Sequence, residues 1–211
     1  MSPAWRTSSR ALPELLLVRH AETDWSGRRY CGRTDLPLNG AGVAAARSLA
    51  ASLADERAGE PVSSPVHPLR ILSSPLRRAR QTAEALLEAL PGADLRIDDR
   101  WSETDFGDAE GLTYAELSDA WPDLAARLAT GSFAVDWPGG ESAIVFSARV
   151  TAAFHDLAES DLPTIVVSHG GPLRLAIALA TDRDPGAVIA PEPGHAGRRP
   201  RGTHGGPTNG R

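Results

Sequence analysis

The sequence contains no lysine, and all 22 of its basic residues are arginine. This absence excludes Schiff-base lysines, covalently attached pyridoxal phosphate and the lysine of a phosphate-binding P-loop. Arginine leaves another route to phosphate, because its planar guanidinium can bind two phosphate oxygens at once.

Cysteine is nearly absent as well. The single cysteine, Cys31, excludes an intrachain disulfide and fits a reducing compartment. A cysteine-based phosphatase needs an arginine six positions after its nucleophile, and Pro37 occupies that position.

The chain also lacks long apolar runs and an excess of basic residues. No window approaches the length of a membrane span, and the N-terminus has no apolar core of a secretory signal. The balance of 22 basic and 27 acidic residues gives a net charge of −5, which does not favour nucleic-acid binding. The length of 211 residues predicts one domain. From the composition we also expect a cytoplasmic protein that binds neither nucleic acid nor membrane. The sequence predicts no particular oligomeric state.

Short apolar runs alternate with helical patterns along the chain. Strands are predicted at 14–20, 69–73, 94–98 and 164–168, helices at 39–56, 75–90, about 142–159 and 172–181, and short helices near 113–118 and 122–129. This alternation predicts an α/β fold, with a mostly parallel central sheet between helices in three αβα layers. We expect residues 1–12 to form a flexible lead, 13–190 the domain, and the Gly/Pro/Arg-rich segment 191–211 a disordered tail.

Two of the predicted strands end in a histidine. LLLVRH at 15–20 places Arg19 and His20 at the end of the first strand, and VVSHGG at 166–171 places His169 at the end of the last. The carboxyl ends of parallel strands form the edge where α/β sheets bind ligands. A neutral imidazole attacks phosphorus readily, and nearby arginines would keep it neutral by lowering its pKa. The pattern predicts a phosphoryl-binding site.

Four motifs then match a known family in its order. They are LVRHAETDW with YCGRTDLPLNGAG (17–42), SSPLRRARQTA (73–83), SETDFGDAEG (102–111) and VVSHGG (166–171). Together they resemble the histidine phosphatase superfamily, also called phosphoglycerate mutase-like. The pattern is most similar to its α-ribazole and broad-specificity phosphatases.

The resemblance implies a role for each of five residues. His20 would be the nucleophile, Arg19 and Arg78 would hold the phosphoryl oxygens, and a protonated His169 would donate to one of them. Glu103 would give a proton to the leaving alkoxide. Three cationic side chains would replace magnesium, so we expect neither a metal nor a cofactor.

Several neighbouring residues remain open. Asp105, Asp108 and Glu110 are carboxylates that composition alone cannot separate from Glu103, and only the family motif selects Glu103. Outer contacts to the phosphate or the substrate are predicted at five positions: Thr23, Ser26, Gly32, Arg33 and Gly170. Arg77 and Arg80 are expected to lie on a solvated helix surface.

The expected activity is hydrolysis of a small phosphorylated metabolite, such as a sugar phosphate, a phosphoglycerate or α-ribazole phosphate, through a phosphohistidine. Only residues 112–137 separate the glutamate motif from PGGES. The family's mutases share a longer insertion at this place, which excludes water from the site. A phosphoglycerate mutase-type phosphotransferase and a phosphatase-like binding protein remain the alternatives. Relatives add a further short strand after the last helix, and 191–211 does not resemble one, so we expect an incomplete sheet edge.

Overall fold

The structure, a computed structural model, describes residues 15–58, 68–133 and 135–198. Its strands are β1 (Leu15–Arg19), β2 (Arg70–Ser73), β3 (Asp94–Ile97), β4 (Thr164–Ser168) and β5 (Ala196–Arg198). Its α-helices are α1 (Gly40–Ala58), α2 (Arg77–Ala89), α3 (Tyr114–Ala120), α4 (Pro122–Ala129), α5 (Ala143–Ala158) and α6 (Gly170–Thr181). Short 3₁₀ turns lie at Asp99–Trp101, Gly107–Ala109 and Pro185–Ala187.

The five strands form one sheet in the order β3-β2-β4-β1-β5. The first four are parallel, and β5 pairs with β1 in the antiparallel direction. Because β4 lies between β1 and β2, the end of β4 meets the ends of both of these earlier strands at one edge. This is the kind of crossing point at which open α/β sheets place ligands.

Alternate residues of the strands pack on opposite faces of the sheet. Leu15 and Leu17 join the core cluster that contains Phe146 and Leu173 of α5 and α6. Leu16 and Val18 join the other cluster, which α1 and α2 cover. Helices therefore bury both faces of a mostly parallel sheet, which confirms the predicted α/β class and its three layers.

The start of α1 follows from its capping residue. Oδ1 of Asn39 accepts a hydrogen bond from the backbone N–H of Gly42 at 2.8 Å, as predicted from the sequence. None of the described helices is long and apolar enough to span a membrane.

The segment after α6 differs from the expectation of a disordered tail from 191. Residues 196–198 form β5, and the N–H of Gly194 donates to the carbonyl of Arg19 at 3.1 Å. The edge of the sheet beside β1, which was expected to be incomplete, is therefore paired with β5. The sequence did not predict this strand, because backbone hydrogen bonds form without an apolar side-chain pattern. The expected lead at 1–12 and the remainder of the tail, 199–211, lie outside the described residues.

Candidate active site

The ends of three neighbouring strands bring the predicted site together. The N–H of His20, after β1, bonds to the carbonyl of Ser168 in β4 at 2.9 Å, and the N–H of Ser74, after β2, bonds to the carbonyl of Val167 at 3.0 Å. His169 follows β4 directly, and its ring centroid lies 4.9 Å from that of His20. The two histidines that the sequence separates by 149 positions thus face each other, as their strand ends predict.

His20 is held in one tautomer. Its Nδ1 lies 2.8 Å from the carbonyl oxygen of Ala21, which can only accept, so Nδ1 carries the proton. Nε2 then carries the lone pair of the ring, and this lone pair accepts a hydrogen bond from Nε of Arg78 at 3.3 Å. Burial, followed by the charge of Arg78, lowers the pKa of His20 to about 3. His20 is therefore a neutral imidazole with the lone pair of Nε2 beside a guanidinium.

Arg78 is buried completely, near the start of α2. Its Nη1 donates to the carbonyl of Thr34 at 2.8 Å, and its Nη2 donates to the carbonyls of Cys31 and Gly32 at 3.1 and 2.7 Å. Three carbonyls of one loop thus fix the guanidinium that contacts His20. Arg77 and Arg80 are exposed, which confirms their predicted place on the helix surface.

His169 is also buried completely, and its Nε2 lies 2.7 Å from Oγ of Ser74. Burial, followed by the charge of Arg78, lowers the pKa of His169 well below 6.5. These effects favour a neutral His169 in this structure, whereas the resemblance implies a protonated one, because desolvation and the neighbouring arginine oppose a second positive charge. Among the described residues, Nδ1 of His169 has no hydrogen-bond partner.

Arg19 and Glu103 both reach Gly170, the first residue of α6. A Cβ added to Gly170 would lie 3.6 Å from Nη2 of Arg19 and 3.8 Å from Oε2 of Glu103. Oε1 of Glu103 accepts from the N–H of Thr104 at 3.0 Å, and Oε2 accepts from the N–H of Gly171 at 3.3 Å. Nε of Arg19 is buried and has no partner in the described part of the chain.

A match to a family model relates this chain to known proteins. The model described as the histidine phosphatase superfamily (branch 1) matches residues 15–197. The chain belongs to the histidine phosphatase superfamily.

Relatives within this superfamily agree with the match. A bifunctional protein of Mycobacterium tuberculosis is 36% identical over 191 residues, which cover 89% of this chain and 49% of the relative. The chain thus spans about half the length of that relative. A glucosyl-3-phosphoglycerate phosphatase of Mycolicibacterium vanbaalenii is 36% identical over 168 residues, covering 74% of this chain and 69% of that protein.

Solved structures of the superfamily give the same picture. The mycobacterial glucosyl-3-phosphoglycerate phosphatase in complex with VO3 has a TM-score of 0.71 at 31% identity, covering 87% of this chain and 89% of that chain. A structure titled mycobacterial hydrolase 1 has a TM-score of 0.67 at 33% identity, with coverages of 82% and 81%.

The superfamily motif around Glu103 is anchored by an arginine that sequence reasoning missed. Nη1 of Arg149, in α5, donates to the carbonyls of Arg100 and Ser102 at 2.8 and 2.7 Å, and Nη2 donates to the carbonyl of Glu103 at 3.1 Å. Glu141 accepts from Nε and Nη2 of Arg149, each at 2.7 Å. This ion pair fixes the backbone that carries Glu103. No local pattern in α5 could have identified it.

Glu110 is a second missed residue, left open among the competing carboxylates. Its Oε2 accepts from the N–H of Gly32 at 3.1 Å and from the hydroxyl of Thr34 at 2.8 Å, and its Oε1 accepts from the N–H of Arg33 at 2.7 Å. A Cβ on Gly32 would collide with Oε1 of Glu110 and with the carbonyl of Thr104. Glu110 thus holds the loop whose carbonyls fix Arg78, and Gly32 permits that close approach.

The remaining predicted contacts lie in the loop after β1. Oγ of Ser26 accepts from the N–H of Thr23 at 2.9 Å and lies 3.2 Å from Oγ1 of Thr23, so the two residues hold one turn. Arg33 is exposed. Phosphate binding by these three residues stays a prediction. No group of three or more histidine, cysteine, aspartate or glutamate residues suited to a metal ion occurs in the ranges described.

A cavity of about 530 Å³ begins beside Arg19 and Glu103. Gly170 and Gly171 line it at the same end, and α4, α5 and the segment 185–192 supply other parts of its wall. Arg19 and Glu103 therefore belong both to the candidate site and to the wall of this cavity, whereas His20, Arg78 and His169 do not line it.

Proposed function

We propose that this protein is a phosphomonoesterase that hydrolyses a small phosphorylated metabolite through a phosphohistidine on His20. The observation that carries the proposal is the His20 imidazole, neutral, with Nδ1 bonded to a carbonyl and Nε2 beside the Arg78 guanidinium. Relatives named as glucosyl-3-phosphoglycerate phosphatases support a phosphatase, and they favour sugar phosphates as a broad class.

In the first step, Nε2 of His20 attacks phosphorus, and the bond between phosphorus and the ester oxygen breaks. Glu103, as the carboxylic acid, gives its proton to the departing alkoxide, so the products are the free alcohol and phosphohistidine. Arg19, Arg78 and the Nδ1–H of His169 donate to the equatorial oxygens, where negative charge must be stabilised.

In the second step, a water attacks the phosphohistidine and the P–N bond breaks. The Glu103 carboxylate accepts a proton from that water, which restores the acid. Inorganic phosphate leaves, and the bonding electrons return to Nε2 of His20. Each cycle thus consumes one ester and one water and regenerates the site.

The direct test is to trap the intermediate. Denaturing the protein during turnover of ³²P-labelled substrate in EDTA should give an acid-labile, base-stable label on a His20 peptide. His20→Ala should lose the label and reduce kcat by at least about 10³-fold, because the nucleophile is removed. His155→Ala, which changes a half-buried histidine on α5, is the matched control. It should keep both the label and the kcat of the parent.

Three outcomes separate the alternatives. Label on another side chain would overturn the proposed chemistry, and absence of turnover in the parent would favour a binding protein. Transfer of the label to added 3-phosphoglycerate, in place of release as inorganic phosphate, would indicate a mutase.

A further inference from the structure

We propose that the 530 Å³ cavity binds the leaving alcohol of the substrate, and that this alcohol carries an aromatic or other apolar group and no second anion. The inference rests on the phosphatase function proposed above and names its substrate class. It is carried by the position, the walls and the charge of the cavity.

The position of the cavity assigns it to the alcohol. Glu103 and Arg19 both line it, together with Gly170 and Gly171. Because Glu103 protonates the leaving oxygen, the group attached to that oxygen extends from Glu103 into this space. A volume of 530 Å³ lies within the range of sites for ligands much larger than a three-carbon acid.

Four aromatic rings form part of the cavity wall. Phe106 and Trp137 pack with ring centroids 4.3 Å apart, and Phe133 and Phe146 pack with centroids 5.5 Å apart. All four rings line the cavity, and Ile189, which is 86% exposed, lies on its wall. Apolar surface of this kind gains free energy by removing an apolar group from water, and aromatic rings add favourable stacking geometry.

The charge of the cavity does not favour a second anion. Its charged lining residues, two of each sign, are Arg19, Glu103, Arg174 and Glu192. Arg19 is assigned to the phosphoryl group. Arg174 donates from Nε and Nη2 to carbonyls of the 185–188 turn, and its guanidinium lies 5.3 Å from the centroid of Phe133. A carboxylate on the alcohol would therefore meet a cation already bound to the wall and two acidic residues.

The first experiment compares three phosphate esters of primary alcohols: 3-phenylpropyl phosphate, glycerol 3-phosphate and 3-phosphoglycerate. Burial of the phenyl ring should raise kcat/KM for the first ester by roughly 10–100-fold over the other two. Equal values, or a preference for 3-phosphoglycerate, would overturn the inference.

The second experiment places a charge on the wall. Ile189→Arg should lower the ratio of kcat/KM for 3-phenylpropyl phosphate to that for 3-phosphoglycerate several-fold, by adding a free cation to the cavity. Ile144→Arg is the matched control, because Ile144 is 81% exposed and does not line the cavity. Thermal unfolding of both variants should match the parent. An unchanged ratio in Ile189→Arg, or the same shift in Ile144→Arg, would contradict the assigned wall.

The inference and the proposed function fail in different ways. Turnover of p-nitrophenyl phosphate with a preference for 3-phosphoglycerate overturns only the inference. Absence of turnover with every ester overturns the proposed function, and calorimetry on the parent protein then decides the inference. Tighter binding of 3-phenylpropylphosphonate than of 3-phosphonopropionate supports it, and equal or reversed affinities contradict it.

Discussion

At the scale of single residues, the Ser74 hydroxyl sets the tautomer of His169. Oγ of Ser74 accepts the N–H of Leu76 at 3.3 Å, and it lies 2.7 Å from Nε2 of His169. The hydroxyl hydrogen therefore points to Nε2, since no other acceptor for it is recorded among the described residues. A neutral His169 must then carry its proton on Nδ1. Nδ1 is buried and has no partner within the described ranges, so a phosphoryl oxygen would be its acceptor.

Ser74→Ala should remove this control of the tautomer. We expect the ¹⁵N chemical shifts of His169 to move towards a mixture of tautomers, and kcat/KM to fall about tenfold because one hydrogen bond to the transferred group weakens. Ser74→Thr, which keeps the hydroxyl, should restore both.

Ser73→Ala is the matched control for this prediction. Ser73 is equally buried, but its hydroxyl donates to the carbonyl of Ser74 at 2.9 Å and has no recorded contact with His169. Unchanged His169 shifts in Ser74→Ala, or equal shifts in both variants, would mean that Ser74 does not set the tautomer.

Each site residue found from the sequence has a role that a contiguous family motif implies. Glu110 lies in the SETDFGDAEG motif as well, but only tertiary contacts show its role. His20 and His169 follow apolar strands, and Arg78 stands in the SSPLRRARQTA run. Arg149 acts across 46–49 positions, and Glu110 across 76–78, through backbone groups of distant loops. Such contacts are created by tertiary packing, so no local spacing announces them.

At the scale of elements, the loop at 31–34 is held from both sides. Glu110 binds its N–H groups and the Thr34 hydroxyl, while its carbonyls bind the guanidinium of Arg78. The carboxylate is an acceptor at both oxygens, so an amide at this position would place a donor against at least one N–H group.

Glu110→Gln should therefore loosen the loop and, with it, Arg78. We expect kcat/KM to fall roughly 10–100-fold and the Kd of vanadate to rise by a similar factor, given roughly 1.5–3 kcal/mol for a hydrogen bond to a charged group. The measurements are steady-state kinetics and vanadate titration. Asp108→Asn, a change at an exposed neighbouring carboxylate, should leave both values unchanged. If Glu110→Gln lost thermal stability but bound vanadate with the Kd of the parent, the role of Glu110 would be structural only.

Elements with strong local signals were predicted closely. The apolar run at 164–168 coincides with β4, and the pattern at 122–129 coincides with α4. β5 was missed because Ala196–Arg198 has no strand pattern of its own, and it exists by pairing with β1. The 3₁₀ turn at 99–101 was also missed, since it depends on the Asp98 carboxylate accepting the N–H of Arg100.

At the scale of the whole molecule, folding places two neutral histidines beside arginines in the interior. An unfolded histidine has a pKa near 6.5, whereas folded His20 has a pKa of about 3. Between these values the unfolded chain binds more protons than the folded one. The free energy of unfolding therefore rises with pH across this window and falls as pH is lowered through it. His169 also makes the free energy of unfolding rise with pH, because its pKa is lowered in the folded protein as well.

The stability of the protein should thus decrease on mild acidification. Asp98 forms an ion pair with Arg100, and Glu141 forms one with Arg149. The pKa values of both carboxylates lie below their usual values, so these ion pairs persist in that range. From pH 7.5 to 5.5, His20 alone should cost about 1.4 kcal/mol of unfolding free energy, measured by urea denaturation at both pH values. His20→Gln should remove this share of the loss, whereas His155→Gln should retain it. Parallel pH profiles for the parent and His20→Gln would show that His20 does not stay neutral in the folded protein, and the proposed nucleophile would then be protonated in mild acid.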